Sequence, residues 1–113
     1  MRKNIVVLGT LDTKGEQLAL LRQRIAARGH RPILVDLSLG GRSEVPADVG
    51  TGELVRLAGG DLAAFDASRD RAPKSDVVIQ GAKVKLLELL SLGEVDGAVA
   101  LGGASMAIMG ARI

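Results

Sequence analysis

Apolar residues fall along this chain in two kinds of pattern. Ile5-Val6-Val7-Leu8 and Ile33-Leu34-Val35 are short unbroken aliphatic runs rich in β-branched side chains. Runs of that length predict strands buried on both faces, as in a parallel sheet. Between them, Leu18, Leu21 and Ile25 recur at three- and four-residue spacing and predict an amphipathic helix over 16–28, closed by Gly29. Strand, helix and strand in this order make a βαβ unit, for which a right-handed crossover is expected.

The middle of the chain is less regular. Gly40, Gly41 and Pro46 mark residues 37–49 as a loop. Leu54, Val55 and Leu57 predict a short helix over 51–58, Gly59-Gly60-Asp61 breaks it, and a helical turn restarts over 61–65. A second long helix is predicted over 75–92 from Val78, Ala82, Leu86 and Leu89, with Ser75 as N-cap and Gly93 as stop. Residues 76–79 taken alone also fit a strand. Val95–Leu101 predicts a third strand, weakened at its start by Asp96 and Gly97. A tight loop at 102–105 follows, and 106–113 begins a further helix.

The pattern predicts an α/β fold: a Rossmann-like open parallel sheet with helices on both faces, truncated to about three strands. The last predicted helix has only about two turns and no cap, and the third strand leaves an uncovered edge. Residues 1–113 therefore read as the N-terminal part of a nucleotide-binding α/β domain, a fragment of a longer chain.

Composition narrows the function. The length fits one domain, and 47% of residues are hydrophobic. Phe65 is the sole aromatic. A chain with no stacking platform is a poor binder of single-stranded nucleic acid, and a net charge of +2 adds no case for a nucleic-acid partner. Arg22, Arg24, Arg28 and Arg31 cluster on or beside the first helix, where a solvated face explains them. Without cysteine there are no disulfides and no thiolate metal sites. The N-terminal apolar run stops at Gly9, too early for a signal peptide or a membrane span. A cytoplasmic protein with no membrane partner is the expectation.

In open parallel sheets, ligands sit beyond the carboxyl ends of the strands. Three segments are expected there: Gly9–Gly15, Asp36–Gly41 and Gly102–Ser105. The first leads into a helix N-terminus, whose amides and dipole attract phosphate. Gly9 permits close approach, Thr10 and Thr13 offer hydroxyls, and Lys14 a cation. Asp12 is a further polar candidate. The spacing is neither the Walker pattern nor Gly-x-Gly-x-x-Gly. Thr13 and Glu16 also fit a capping box, a purely structural reading. Asp36, at the end of the second strand, is placed to hold ribose hydroxyls or simply to start a turn. Gly102, Gly103 and Ser105 repeat the strand–glycine–helix design, as ordinary turn residues would too. His30 follows the helix-ending Gly29, away from this edge, and reads as a surface residue. No Ser-His-Asp set, metal-ligand cluster or close carboxylate pair stands out, so the chain alone carries no complete catalytic set.

Val6-Val7-Leu8-Gly9-Thr10-Leu11-Asp12-Thr13-Lys14-Gly15-Glu16 resembles the opening signature of a family that contains the ATP-binding N-terminal domain of the tomato mosaic virus resistance protein. Residues 93–103, Gly-Glu-Val-Asp-Gly-Ala-Val-Ala-Leu-Gly-Gly, resemble that family's second glycine-rich segment. The resemblance covers essentially the whole chain. It implies a Rossmann-like domain that binds ATP, with or without Mg, and that tends to form homodimers. Ala104, Ser105 and Met106 depart from the family's glycine-rich continuation. The leading expectation is ATP or related nucleotide binding, with phosphates at Gly9–Gly15 and ribose at Asp36. The alternatives are a dimerisation or docking module paired through the exposed sheet edge, and part of an enzyme acting on a phosphorylated small molecule.

Overall fold

The computed structural model describes residues 2–39 and 45–101. Within them lie three strands, β1 (Asn4–Gly9), β2 (Arg31–Asp36) and β3 (Gly97–Leu101), and four helices. The helices are α1 (Leu11–Ala27), α2 (Thr51–Leu57), α3 (Leu62–Ala67) and α4 (Arg71–Ser91). The sheet is parallel throughout, in the order β2-β1-β3, with Val7 opposite Leu34 on one side and Val99 on the other.

Strand alternation divides the core into two layers. Val7 and Leu34 point to one face and bury against Leu11 and Leu18 of α1. Val6, Leu8, Ile33 and Val35 point to the other, against Leu54 and Val55 of α2, Phe65 of α3, and Val78, Ile79 and Ala82 of α4. Helices thus cover both faces, and the α/β sheet expected from the sequence is the one that forms.

The chain runs from β1 to β2 on one side and then crosses β1 to reach β3. The order in which strands are added therefore reverses about β1, with all strands still parallel, and the β1/β3 boundary is the kind of place where open α/β sheets present a crevice to ligands.

The helix stops expected at Gly29 and Gly93 are present. Both have positive φ (83° and 70°), and the following amides bond back to Ile25 and Leu89 as in a Schellman motif. Three boundaries differ from the sequence reading. α1 starts at Leu11, not at residue 16, because Asp36 and Ser38 supply partners for its first amides. A kink at Lys14 (φ −125°, ψ 26°) separates this extra turn from the long amphipathic segment. α4 starts at Arg71 behind Asp70, so Ser75 is not its N-cap. Pro73 is tolerated because it sits in the first turn, where no helical amide bond is needed. β3 begins at Gly97, and Asp96 stitches it to β1: its carboxylate accepts from Asn4 N at 2.8 Å, and its amide donates to Asn4 O.

The two edges of the sheet are unlike. Beyond β2, Val49 makes a one-residue parallel bridge to Val35, and Asp48 Oδ2 accepts from Leu34 N at 2.7 Å. Arg22 holds this segment through Pro46 O at 2.6 Å. That contact gives Arg22 a structural task, while Arg24, Arg28 and Arg31 are solvated as expected. Beyond β3, Ala98, Val99 and Ala100 are exposed, and Leu87, Leu90 and Leu92 at the end of α4 are exposed as well.

Helix α4 meets α2 with almost no intervening side chain. An added Cβ at Gly81 would lie 2.0 Å from the Leu54 carbonyl oxygen. Lys85 of α4 then reaches back to Glu53 of α2 at 3.1 Å and to Glu88 at 3.5 Å.

Candidate functional site

The carboxyl ends of β1 and β2 are tied together by one polar cluster. Asp36 Oδ1 accepts from Leu11 N (3.2 Å), Ser38 N (3.0 Å) and the Ser38 hydroxyl. Ser38 Oγ in turn accepts from Asp12 N at 3.1 Å. Thr51 Oγ1 lies 3.2 Å from the carbonyl oxygens of both Asp36 and Ser38, and Leu37 N donates to Gly9 O at 2.8 Å. Ser38 is buried. The cluster fixes the entry of α1, the exit of β2 and the start of α2 as one unit.

This arrangement changes the reading of the first loop. A phosphate cradle at α1 would need free amides. Leu11 N and Asp12 N are taken by Asp36 and Ser38, while Thr13 N and Lys14 N donate to Thr10 O at 3.2 and 2.8 Å. Asp36 itself is the anion at the helix N-terminus. The residue expected to hold ribose therefore has one carboxylate oxygen committed to three protein donors.

The capping box does not form. Thr13 Oγ1 lies 2.6 Å from Thr10 Oγ1 and 3.4 Å from Thr10 O, Glu16 is exposed, and Thr10 caps α1 without a side-chain bond. Both residues of the expected box lie past the true helix start, which accounts for its absence. Gly9 is set by packing: an added Cβ would fall 2.6 Å from Leu18 Cδ1 and 3.1 Å from Leu101 O. His30 accepts from Lys3 N through Nδ1 at 3.0 Å and fastens the N-terminal segment, remote from the cluster.

One atom in the cluster lacks a partner. Asp12 Oδ1 is buried and, among the described residues, makes no hydrogen bond. It belongs to the first turn of α1, directly after the end of β1, and its own amide is tied to Ser38 beyond the end of β2. Thr10, Thr13 and Lys14 share that turn, so the structure brings together Gly9, Thr10, Asp12, Thr13, Lys14 and Asp36. Gly102, Gly103 and Ser105 lie outside the described residues. Ser38 and Thr51 complete the cluster and were not singled out in the sequence. Asp36-Leu37-Ser38 does carry a signal, since an Asp two residues before Ser at a strand end favours a side-chain turn. Among the described residues, no three His, Cys, Asp or Glu side chains gather as a metal site, and no helix is long and apolar enough to cross a membrane.

Residues 3–113 match the model of the uncharacterised protein family UPF0261, N-terminal domain. The chain belongs to the UPF0261 family. Similar UPF0261 proteins include one from Clostridium tetani, 27% identical over 103 residues, covering 91% of this chain and 26% of the relative. Another, from Brucella suis, is 30% identical over 99 residues, covering 88% of this chain and 24% of the relative. One from Rhizobium meliloti is 34% identical over 101 residues, covering 89% of this chain and 24% of the relative. The chain thus spans about a quarter of the length of these UPF0261 relatives. No solved structure matches it. The resemblance to the family of the tomato mosaic virus resistance protein is overturned by these matches. Both the family model and the relatives are UPF0261, and none points to that protein.

Proposed function

We propose that this chain carries part of a small-molecule site at the carboxyl end of the β1/β3 crevice, and that its ligand is a nucleotide of the ATP type. The observation that carries the reading is the buried, unpartnered Oδ1 of Asp12. Leaving a buried acceptor unsatisfied costs about 1–3 kcal/mol, so such an atom calls for a donor from outside the chain. A ribose supplies hydroxyl donors, and a Mg-nucleotide supplies a cation. Asp12 takes the role that Asp36, already committed, cannot take with Oδ1. Lys14 and the Thr10 and Thr13 hydroxyls stand on the same turn to meet the phosphates. These contacts come from side chains, because the α1 amides are engaged.

Titration calorimetry of the 113-residue chain with ATP, ADP and NAD tests this directly. Saturable heat with ATP is expected, and Asp12→Ala should weaken it about tenfold or more while leaving the thermal midpoint unchanged or higher. A stability gain with unaltered ATP affinity would falsify the role of Asp12, and no binding by the full-length protein that carries this chain would refute the nucleotide reading.

A second reading has its own observation. β3 is an edge strand with Ala98, Val99 and Ala100 exposed, beside the exposed Leu87, Leu90 and Leu92. Strand pairing at this edge would make the chain an assembly module, a homodimer being the simplest form. Sedimentation at rising concentration separates the readings, since a dimer that persists with Asp12→Ala is independent of the crevice.

A further inference from the structure

A cleft of about 210 Å³ opens where the end of α2, α3 and the first turns of α4 meet. Val55, Ala64, Phe65, Pro73, Lys74 and Val77 form its walls, and it shares no residue with the β1/β3 crevice. Its lining is mostly apolar, with Asp61, Ser68 and Lys74 as the polar members. Lys74 is 7% exposed, a degree of burial rare for lysine without a partner. Its ammonium donates to Ser68 O at 3.1 Å and stands 4.6 Å from the centroid of the Phe65 ring.

Neither contact neutralises the charge. A backbone carbonyl and an aromatic face are dipolar or quadrupolar partners, and among the described residues no carboxylate comes within ion-pair distance of Lys74. Asp61 stands at the rim, but it is exposed and its Oδ1 caps α3 through Ala63 N. A buried cation is costly unless an anion compensates it. An ammonium has three donors, and the Ser68 carbonyl occupies one.

We propose that this cleft binds a small monocarboxylate with an aliphatic body. The carboxylate would pair with Lys74 Nζ, and the body would lie along Val55, Phe65 and Val77. The volume corresponds to roughly seven waters at about 30 Å³ each, which suits a chain of about six carbons. Phosphate, without an apolar body, would leave those walls wet.

Phe65 supplies the assay. As the sole aromatic apart from the imidazole of His30, its ring protons stand alone in a proton NMR spectrum. Hexanoate titrated into the 113-residue chain should shift them saturably. Hexanamide, of the same shape without the charge, should bind about 10- to 100-fold more weakly, the range for a charge-assisted hydrogen bond. Lys74→Met keeps the stem and removes the charge, and it should erase the preference for hexanoate. Ala64→Leu, at an exposed wall position, should block both ligands without touching Lys74, so the test survives if Lys74→Met fails to fold. Equal binding of hexanoate and hexanamide, hexanoate affinity unchanged in either variant, or no saturable shift of Phe65 overturns the proposal.

Discussion

Gly81 is the position where one added methyl group should do the most damage. Its ideal Cβ would sit 2.0 Å from the Leu54 oxygen, 2.6 Å from the Leu54 carbonyl carbon and 2.8 Å from Leu54 Cα. All three are backbone atoms of α2, and the same Leu54 oxygen already accepts from Ala58 N at 3.0 Å. No rotamer change relieves such a contact. The helices must move apart, which loosens the buried Leu54, Val55, Val78 and Ala82. Overpacking of this kind costs about 3 kcal/mol or more at its upper end. Against it stands the helix propensity gained on going from Gly to Ala, about 1 kcal/mol. The net expectation for Gly81→Ala is a loss of about 2 kcal/mol or more, equivalent to roughly 8 °C in Tm for a domain of this size. Urea melts followed by far-UV circular dichroism suit a chain that has no Trp or Tyr. Gly52→Ala is the internal control, because its Cβ would meet only Leu62 Cδ2 at 3.4 Å, an ordinary contact. It should be neutral or stabilising by up to about 1 kcal/mol. If Gly81→Ala melts at the same urea concentration as the unaltered chain, the close α2–α4 contact is not how the protein packs.

Two further outcomes follow from the polar contacts. Asp36→Ala should cost about 2–3 kcal/mol, since it strips Leu11 N, Ser38 N and the Ser38 hydroxyl of their shared acceptor. A loss below about 0.5 kcal/mol in the same urea assay would show that the cluster does not anchor α1. Lys85 has its pKa raised above the usual 10.5, first by its hydrogen bond to Glu53 and then by the charges of Glu53 and Glu88, against a lowering by burial. A raised lysine pKa stabilises the fold fully below the unfolded value and loses that effect as pH climbs through the folded one. Lys85→Met should therefore be about 0.5–1 kcal/mol less stable than the unaltered chain at pH 7. The gap should narrow above pH 10.5, and a constant gap would assign the effect to packing.

The sheet and the long helices were legible because their signals are local. Ile5–Leu8 and Ile33–Val35 are apolar runs that only a two-sided burial explains, and Gly29 and Gly93 stop helices where the sequence places them. The start of α2 at Thr51 was legible, but those of α1 and α4 were not, and at α1 tertiary contacts decide it. Nothing between Gly9 and Gly15 announces that Asp36 and Ser38, distant in sequence, will cap Leu11 and Asp12. Nor does the sequence show that Asp36 Oδ1 is engaged by three protein donors, since an acid at a strand end looks alike whether its oxygens are free or taken. Lys74 was hidden for a related reason. A lysine in the first turn of a helix reads as solvent-facing until α3 folds Phe65 beneath it.

The unlike edges of the sheet limit what larger structures this chain can join. With Val49 and Asp48 occupying the β2 side, the described residues leave one docking line for strand addition, along β3. Two copies that met there about a two-fold axis would each use the β3 edge and join their described strands into one six-stranded sheet. Among the described residues a third copy would find no strand to extend, so growth through them ends at a dimer rather than a fibre. Any other strand that reaches β3 first, from whatever source, removes that docking line altogether, so pairing of copies and completion of the sheet by another strand are mutually exclusive fates of the same edge.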